Sequence, residues 1–342
     1  MKKQSGIFCI GIDVSKLTLD VSLVLTEGHL RHARGSITIS NTPEGLKELK
    51  RWLKQQGVCF NETTVVVMEN TGMYHRLLVK WAIKTGLRYC VDNAARIKWS
   101  MGITRGKSDK VDSQRIALYA AKNLQELHWN NVSEESLMLL KDLLTTRESV
   151  LQQIQQLRVP LNERKQYLEE KQIREMEKLL APAIEGLKES LKKLNAAIQK
   201  AIAADAELLR LYKLATSVPA VGPQTAATLI CDTRGFTGYD NAGQLSSYCG
   251  VVPFGYRSGT SIRGKTKVHP MANKNLKRLL HMCVLSGIQK YQEYKEYYER
   301  KTAEGKHPMA VINALKNKLV IRVAAVVKRG EPYVDNYVSK VV

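Results

Sequence analysis

Residues 6–25 read GIFCIGIDVSKLTLDVSLVL. Two apolar, β-rich runs, "GIFCIGIDVS" and "LTLDVSLVL", meet at a short turn, and "RHARGSITIS" (31–40) alternates well enough to be a third strand, so the start of the chain predicts an antiparallel meander. The next stretch, "NTPEGLKELKRWLKQQG" (41–57), has an Asn/Thr start, Pro43 in its first turn and Gly57 after its last, the marks of a capped amphipathic helix. A strand "TTVVVME" (63–69), a helix "YHRLLVKWAIKTG" (74–86), a strand "LRYCVD" (87–92) and a helix from about Asp109 to Asn123 follow. This alternation predicts an α/β domain over residues 1–130, a sheet with helices packed against it.

The chain has 342 residues and is 44% apolar, enough for two or more domains with real cores. Its formal charge is +21, which calls for a polyanionic partner, nucleic acid before an acidic membrane surface. The charge is uneven: +9 over residues 1–130, zero over 131–212 and +12 over 213–342. The polyanion is therefore expected at both ends. Cys9, Cys59, Cys90, Cys231, Cys249 and Cys283 stand singly, without Cys-x-x-Cys or finger-spaced His, and read as small buried apolar residues of a reducing cytosol. The early apolar run is short, stops at Asp13 and lacks a cleavage signal, and no stretch approaches a membrane span, so a cytoplasmic, nucleoid-associated protein is expected.

The middle, 131–212, reads as all-α. Leu137, Leu144 and Leu151 form one seven-residue row, Leu143, Val150 and Leu157 a second, and Ile184, Leu187, Leu191, Leu194, Ile198 and Ile202 keep a 3,4 spacing, with Pro160 and Pro182 expected to break the run. The pattern suits long helices folded back as a bundle or packed between subunits as a coiled coil. The last region, 213–342, opens with "ATSVPAVGPQTAATLI" (215–230), which is similar to a helix-hairpin-helix module whose turn offers N–H groups to a phosphate, with Gly222 the candidate contact. Such a module usually has glycine where this chain has Ala220. Further on, "ANKNLKRLLHMCVLSGI" (272–288) predicts an amphipathic helix, and another begins at Pro308 and ends at Gly330.

Carboxylates stand out in so basic a chain. Asp13 closes the first strand, Glu69 closes "VVVME", and Asp109 and Asp112 are three apart, on one face if "KSDKVDSQRIALYA" (107–120) is a helix. Singly, each has a plainer reading: a turn residue, an exposed strand end, an N-cap and its partner. Together in one sheet domain they favour Mg²⁺, a hard cation that takes few carboxylates and leaves positions for phosphate and water.

The order "GIDVSK", "VVVMENTGMYHRLL", "GKSDKVDSQRIA" resembles the RuvC-like (RNase H-like) mixed-sheet domain of DEDD-type bacterial insertion-sequence transposases, the family numbered one-ten, which includes the Piv-type DNA invertases. The segments "SVPAVGPQTAATLI" and "LSSYCGVVPFGYRSGTSIRGKTKVHPMANKNLKRLLHMCVL" resemble that family's C-terminal transposase domain. The resemblance covers nearly the whole chain. It implies a Mg²⁺-binding tetrad of Asp13, Glu69, Asp109 and Asp112, a serine nucleophile at Ser258, and a homotetramer, a dimer of dimers, in which one protomer's carboxylates meet another's serine. It also implies donor and target double-stranded DNA and a structured bridge RNA that pairs with both.

From 241 to 292 there is no Asp or Glu, so Arg257, Arg263, Lys265, Lys267, Lys274, Lys277 and Arg278, with Thr260 and Ser261, make a surface suited to phosphates. A serine hydroxyl needs a base or metal to act as a nucleophile, and this stretch supplies none. Either the hydroxyls only hydrogen-bond phosphate, or Ser258 is activated by carboxylates from elsewhere. Two other classes stand beside an RNA-guided recombinase. One is a metal-dependent nuclease of the Holliday-junction type, or an invertase without a guide; the other is a non-enzymatic nucleic-acid-binding protein.

Overall fold

The computed structural model describes residues 6–70, 72–92, 94–100, 109–127, 134–239, 241–255, 257–258, 262–263, 268–269 and 272–335. They form two compact units, Met1–Asn130 and Asn131–Val342.

In the first unit, β1 (Ile7–Val14), β2 (Thr18–Glu27) and β3 (Leu30–Ser40) form the expected meander. Helix α1 (Pro43–Gln55) starts where the sequence says: the Thr42 side chain accepts from the Gly45 N–H at 3.2 Å, and Gly57 takes φ +74° just past its end. Then come β4 (Thr64–Glu69), α2 (Arg76–Lys84), β5 (Arg88–Asp92), α3 (Ala94–Ser100) and α4 (Asp109–Lys122). The sheet order is β3-β2-β1-β4-β5, and β4 and β5 run parallel to β1. It is a mixed sheet of five strands, as expected.

Helix α4 lies directly on β1. A Cβ at Gly11 would sit 2.0 Å from the Ala117 nitrogen and 2.5 Å from the Ser113 carbonyl oxygen, so only glycine permits this approach. Beside it, the buried Ser22 and Ser113 hydroxyls share a hydrogen bond of 2.8 Å. Cys9, Val65, Val67, Cys90, Ile116 and Ala120 close the core between sheet and helix. Burial there pushes the Cys9 thiol up to about 12, which keeps it an inert apolar group. Cys59 departs from the expectation for the cysteines: it is exposed, in the connection before β4.

Among the described residues the second unit is helical apart from one small hairpin. Helices α5 (Glu134–Arg164) and α6 (Glu170–Ala203) fold back on each other, tied by Arg147 to Asn195 at 2.7 Å and Lys165 to Glu177 at 3.3 Å. Neither Pro160 nor Pro182 breaks the run; both lie inside helices. Each is exposed, so water can satisfy the carbonyl that proline leaves without a donor, and the chain turns instead after Arg164. Next come α7 (Ala206–Ser217), α8 (Pro223–Asp232) and α9 (Ala242–Tyr248), the two-residue strands β6 (Arg257–Ser258) and β7 (Ile262–Arg263), then α10 (Lys274–Lys290), α11 (Gln292–Ala303) and α12 (Pro308–Arg329). Leu137, Leu140, Ile198 and Ile202 share a core with Ala227 and Ile230, so the middle helices belong to the same compact body as α8. Ala220 takes φ +71°, the conformation in which glycine is usual.

Candidate active site

The register of the sheet gathers acids at one end. β1 and β4 pair in parallel with Ile12 beside Met68, and one step further on Asp13 stands beside Glu69. Glu69 is paired in turn with Asp92 on β5, and Asp13 with Asp20 on β2. Residues directly paired across a sheet share a face. That face is the one under α4: Gly11, two residues before Asp13, meets the helix backbone, and the Tyr119 hydroxyl reaches Asp92 at 2.6 Å. The sequence thus fixes a row Asp20, Asp13, Glu69, Asp92 across four strands. Because Ser113 lies over Gly11 and Ser22, the first turn of α4, which holds Asp112 and begins at Asp109, comes to the acid-bearing end.

The four expected carboxylates are not equivalent. Asp13 and Glu69 are half-buried strand ends, side by side. Asp112 is paired with Arg115 at 2.8 Å within α4, and the Asp109 side chain lies outside the described residues. Among the described residues no three His, Cys, Asp or Glu side chains stand close enough to hold a metal ion. Hard oxygen donors on neighbouring strands still suit Mg²⁺, provided Asp112 turns from Arg115 toward the sheet.

Asp20 and Asp92 were missed by sequence reasoning. Asp92 ends "LRYCVD" as Asp13 ends "IGID" and Glu69 ends "VVVME", and that repeated acid at a strand end was the available signal. Its oxygen accepts from Tyr119 and lies 4.0 Å from Arg96. Burial, aided by Asp92, raises the Tyr119 hydroxyl well above its usual range, so it stays a proton donor. Asp20 accepts from Thr38 at 2.5 Å.

In the second unit Ser258 and Arg257 are on β6, where Ser258 pairs with Ile262 and Arg257 with Arg263 on β7. The two pairs form a short β-hairpin, and Thr260, Ser261, Lys265 and Lys267 lie outside the described residues. The root of the hairpin is closely held. Gly250 takes φ +67°, and a Cβ there would meet the Ala272 Cβ at 2.9 Å. Asn273 joins the two flanks: its N–H donates to the Tyr248 carbonyl at 2.8 Å, and its side-chain amide reaches Asp232 at 2.8 Å and the Tyr248 hydroxyl at 3.2 Å. The same side chain accepts from the Leu276 N–H at 3.0 Å and caps α10. Burial raises the Asp232 carboxyl, while the Asn273 hydrogen bond and Lys141 pull it back.

Of the expected basic contacts, Lys274 is exposed at the start of α10 and Lys277 is half-buried against Gly250. Arg278 is exposed but already engaged, by Glu148 at 3.0 Å and Asn275 at 2.9 Å. Gly222 is the N-cap of α8 with φ −80°, and a Cβ there would meet nothing within 4 Å, so no local strain requires glycine. No helix among the described residues is long and apolar enough to cross a membrane.

Comparison with known proteins gives the class first. Residues 10–169 match a profile described as a transposase, with DEDD and IS110 in its name, and residues 212–299 match that of the Transposase IS116/IS110/IS902 family. The two matches cover most of the chain, and the chain belongs to this family of transposases. Relatives include the pilin gene-inverting proteins of Moraxella bovis and Moraxella lacunata, each 26% identical over 334 residues, which is 95% of this chain and 97% of theirs. An uncharacterized 43.6 kDa protein of insertion element IS110 from Streptomyces coelicolor is 31% identical over 126 residues, 36% of this chain and 31% of that protein. Among solved structures, RuvC of T. thermophilus in complex with a Holliday junction substrate aligns with 35% of this chain and 96% of its own, at 16% identity and a TM-score of 0.26.

Proposed function

We propose that this transposase cuts and rejoins double-stranded DNA through a covalent phosphoserine at Ser258, using Mg²⁺ held by Asp13, Glu69, Asp109 and Asp112 of a RuvC-like unit. The observation that carries the reading is the placement of Asp13 beside Glu69 at adjacent strand ends, with the first turn of α4 brought over them by the Gly11 contact. Bound there, Mg²⁺ supplies a Lewis acid for the scissile phosphate. The chain's own residues do the rest. Ser258 Oγ forms a bond to phosphorus, one P–O bond of the strand breaks, and the sugar oxygen leaves as a hydroxyl. The serine proton passes to a carboxylate or to water. Arg257 and Arg263 lie close to Ser258 in sequence and would steady the negative charge that develops. In the reverse step a sugar hydroxyl attacks the phosphoserine and frees Ser258, so the number of phosphoester bonds is conserved and no ATP is needed.

The hairpin stretch has no carboxylate of its own, which supports a site completed by a second protomer within a tetramer. A bridge RNA that pairs with donor and target DNA is part of the same reading. The decisive experiment is capture of a protein–DNA adduct on a denaturing gel with the wild type, mapped by peptide mass to Ser258 and absent in Ser258→Ala. Full strand cleavage by Ser258→Ala would return the protein to the metal-dependent nuclease class. A second reading is an invertase without a guide, favoured by the full-length similarity to the two pilin gene-inverting proteins. Sequencing of RNA bound to protein from cells carrying the element separates them: no enriched element-encoded species means no guide.

A further inference from the structure

We propose that Lys316, together with Lys277 and His281, forms a binding site for a DNA backbone phosphate at the root of the Ser258 hairpin. Lys316 lies on α12 among apolar residues, and the residue is only 3% exposed. Burial lowers its tendency to hold a proton, and the charged neighbour that acts on it is another cation, Lys277 of α10. His281, one turn further along α10, is in turn depressed by burial and by Lys316. Among the described residues no carboxylate is paired with the Lys316 amine, and no side-chain hydrogen bond reaches it. An ammonium drawn partly out of water without an anion is costly, and two further basic groups beside it raise that cost. Such a cluster is suited to a ligand that brings negative charge with it.

Position says which anion. Asn313, one turn before Lys316, donates to the Val251 carbonyl at 2.7 Å, and the Lys277 stem packs 3.4 Å from where a Gly250 Cβ would be. Gly250 and Val251 are the first residues of the segment that carries Ser258, so a phosphate held by Lys316 and Lys277 would sit where that segment leaves the helical body. Point-charge ammonium groups bind phosphodiesters without reading sequence, which is the task of a clamp beside a cleavage site. DNA is the expected source because the hairpin beside the cluster is the one assigned to DNA cleavage. The inference rests on that recombinase reading.

The test is binding of the full chain to a fluorescent duplex DNA of about 30 base pairs, and to an RNA hairpin of similar length, over about 50 to 300 mM salt. Lys316→Met and Lys277→Met should each weaken DNA binding and reduce the slope of log K against log salt by about 0.9. Lys316→Arg should keep the slope, and Lys295→Met, on α11 and outside the cluster, should change nothing. In the absence of DNA, Lys316→Met should melt no lower than wild type, whereas a merely structural lysine would lower the melting temperature when lost. An unchanged slope in Lys277→Met, or in a folded Lys316→Met, overturns the proposal. So does a loss confined to the RNA hairpin. Failure of the wild type to form the Ser258 adduct, with the lysine effects intact, would overturn the recombinase reading alone.

Discussion

The sheet unit and the helical unit place their reactive groups by different means. In the first, Asp13, Glu69 and Asp92 are set by the hydrogen-bond ladder, so a slip of one residue would turn all three to the other face. In the second, Ser258 rides on strands of two residues, and its position depends on a few side chains at the hairpin root, chiefly Asn273. Repetition of backbone pairing makes the acidic site stiff. The hairpin that carries Ser258 is held at its base.

The largest effects should come from separating the two chemistries. Asp13→Asn and Ser258→Ala should each lose at least roughly a thousandfold in strand cleavage. Mixed as purified proteins and allowed to exchange subunits, they should regain part of the activity, because some sites then pair an intact carboxylate set with an intact serine. Cleavage assays that stay at the level of the single variants would place the whole site within one chain.

Next in size is the contrast between two glycines. Gly11→Ala forces a Cβ into the backbone of α4 and should cost about 3 kcal/mol or prevent folding, read by urea denaturation of the soluble protein. Gly222→Ala meets open space at a negative φ and should stay within about 0.5 kcal/mol. A smaller change of opposite sign is expected from Ala220→Gly, which relieves a left-handed alanine and should stabilise by roughly 0.5–1 kcal/mol after the added freedom of the unfolded chain is subtracted.

The smallest effect is one of pH. The Asp232 carboxyl is raised in the folded protein, so the native state binds more protons than the unfolded chain between the ordinary aspartate value and the higher folded value. Its contribution is therefore complete below that window and declines as pH rises through it. Asp232→Asn keeps an acceptor for Asn273, should melt no lower than wild type at pH 7, and should flatten this part of the stability profile. A clear loss of stability at pH 7 would mean that the ionised carboxylate supports the hairpin root.

Much of the sheet unit was legible because its signals are local. Alternation marked the meander, and Thr42, Pro43 and Gly57 marked α1. An acid after an apolar run marked the two middle members of the carboxylate row, and the same rule applied to Asp92 would have extended it. Asp20 was hidden because its place depends on pairing with Asp13 across a turn, a matter of register. The prolines misled because the local cost of one lost backbone hydrogen bond is outweighed by the packing of α5 against α6. In the helical unit the decisive residues act at long range. Asn273 reads locally as a helix cap, yet its amide reaches Asp232, 41 positions away. Lys316 reads as a solvated charge in "ALKNKLV" (314–320) and is buried because α12 is packed among other helices, α10 included.

The contact between Gly250 and Ala272 means that the chain enters and leaves the hairpin segment at a single point. A graft between relatives that begins at Gly250 and ends at Ala272 would leave α9 and α10 docked as they are, and would exchange Arg257, Ser258 and Arg263 together as one cassette.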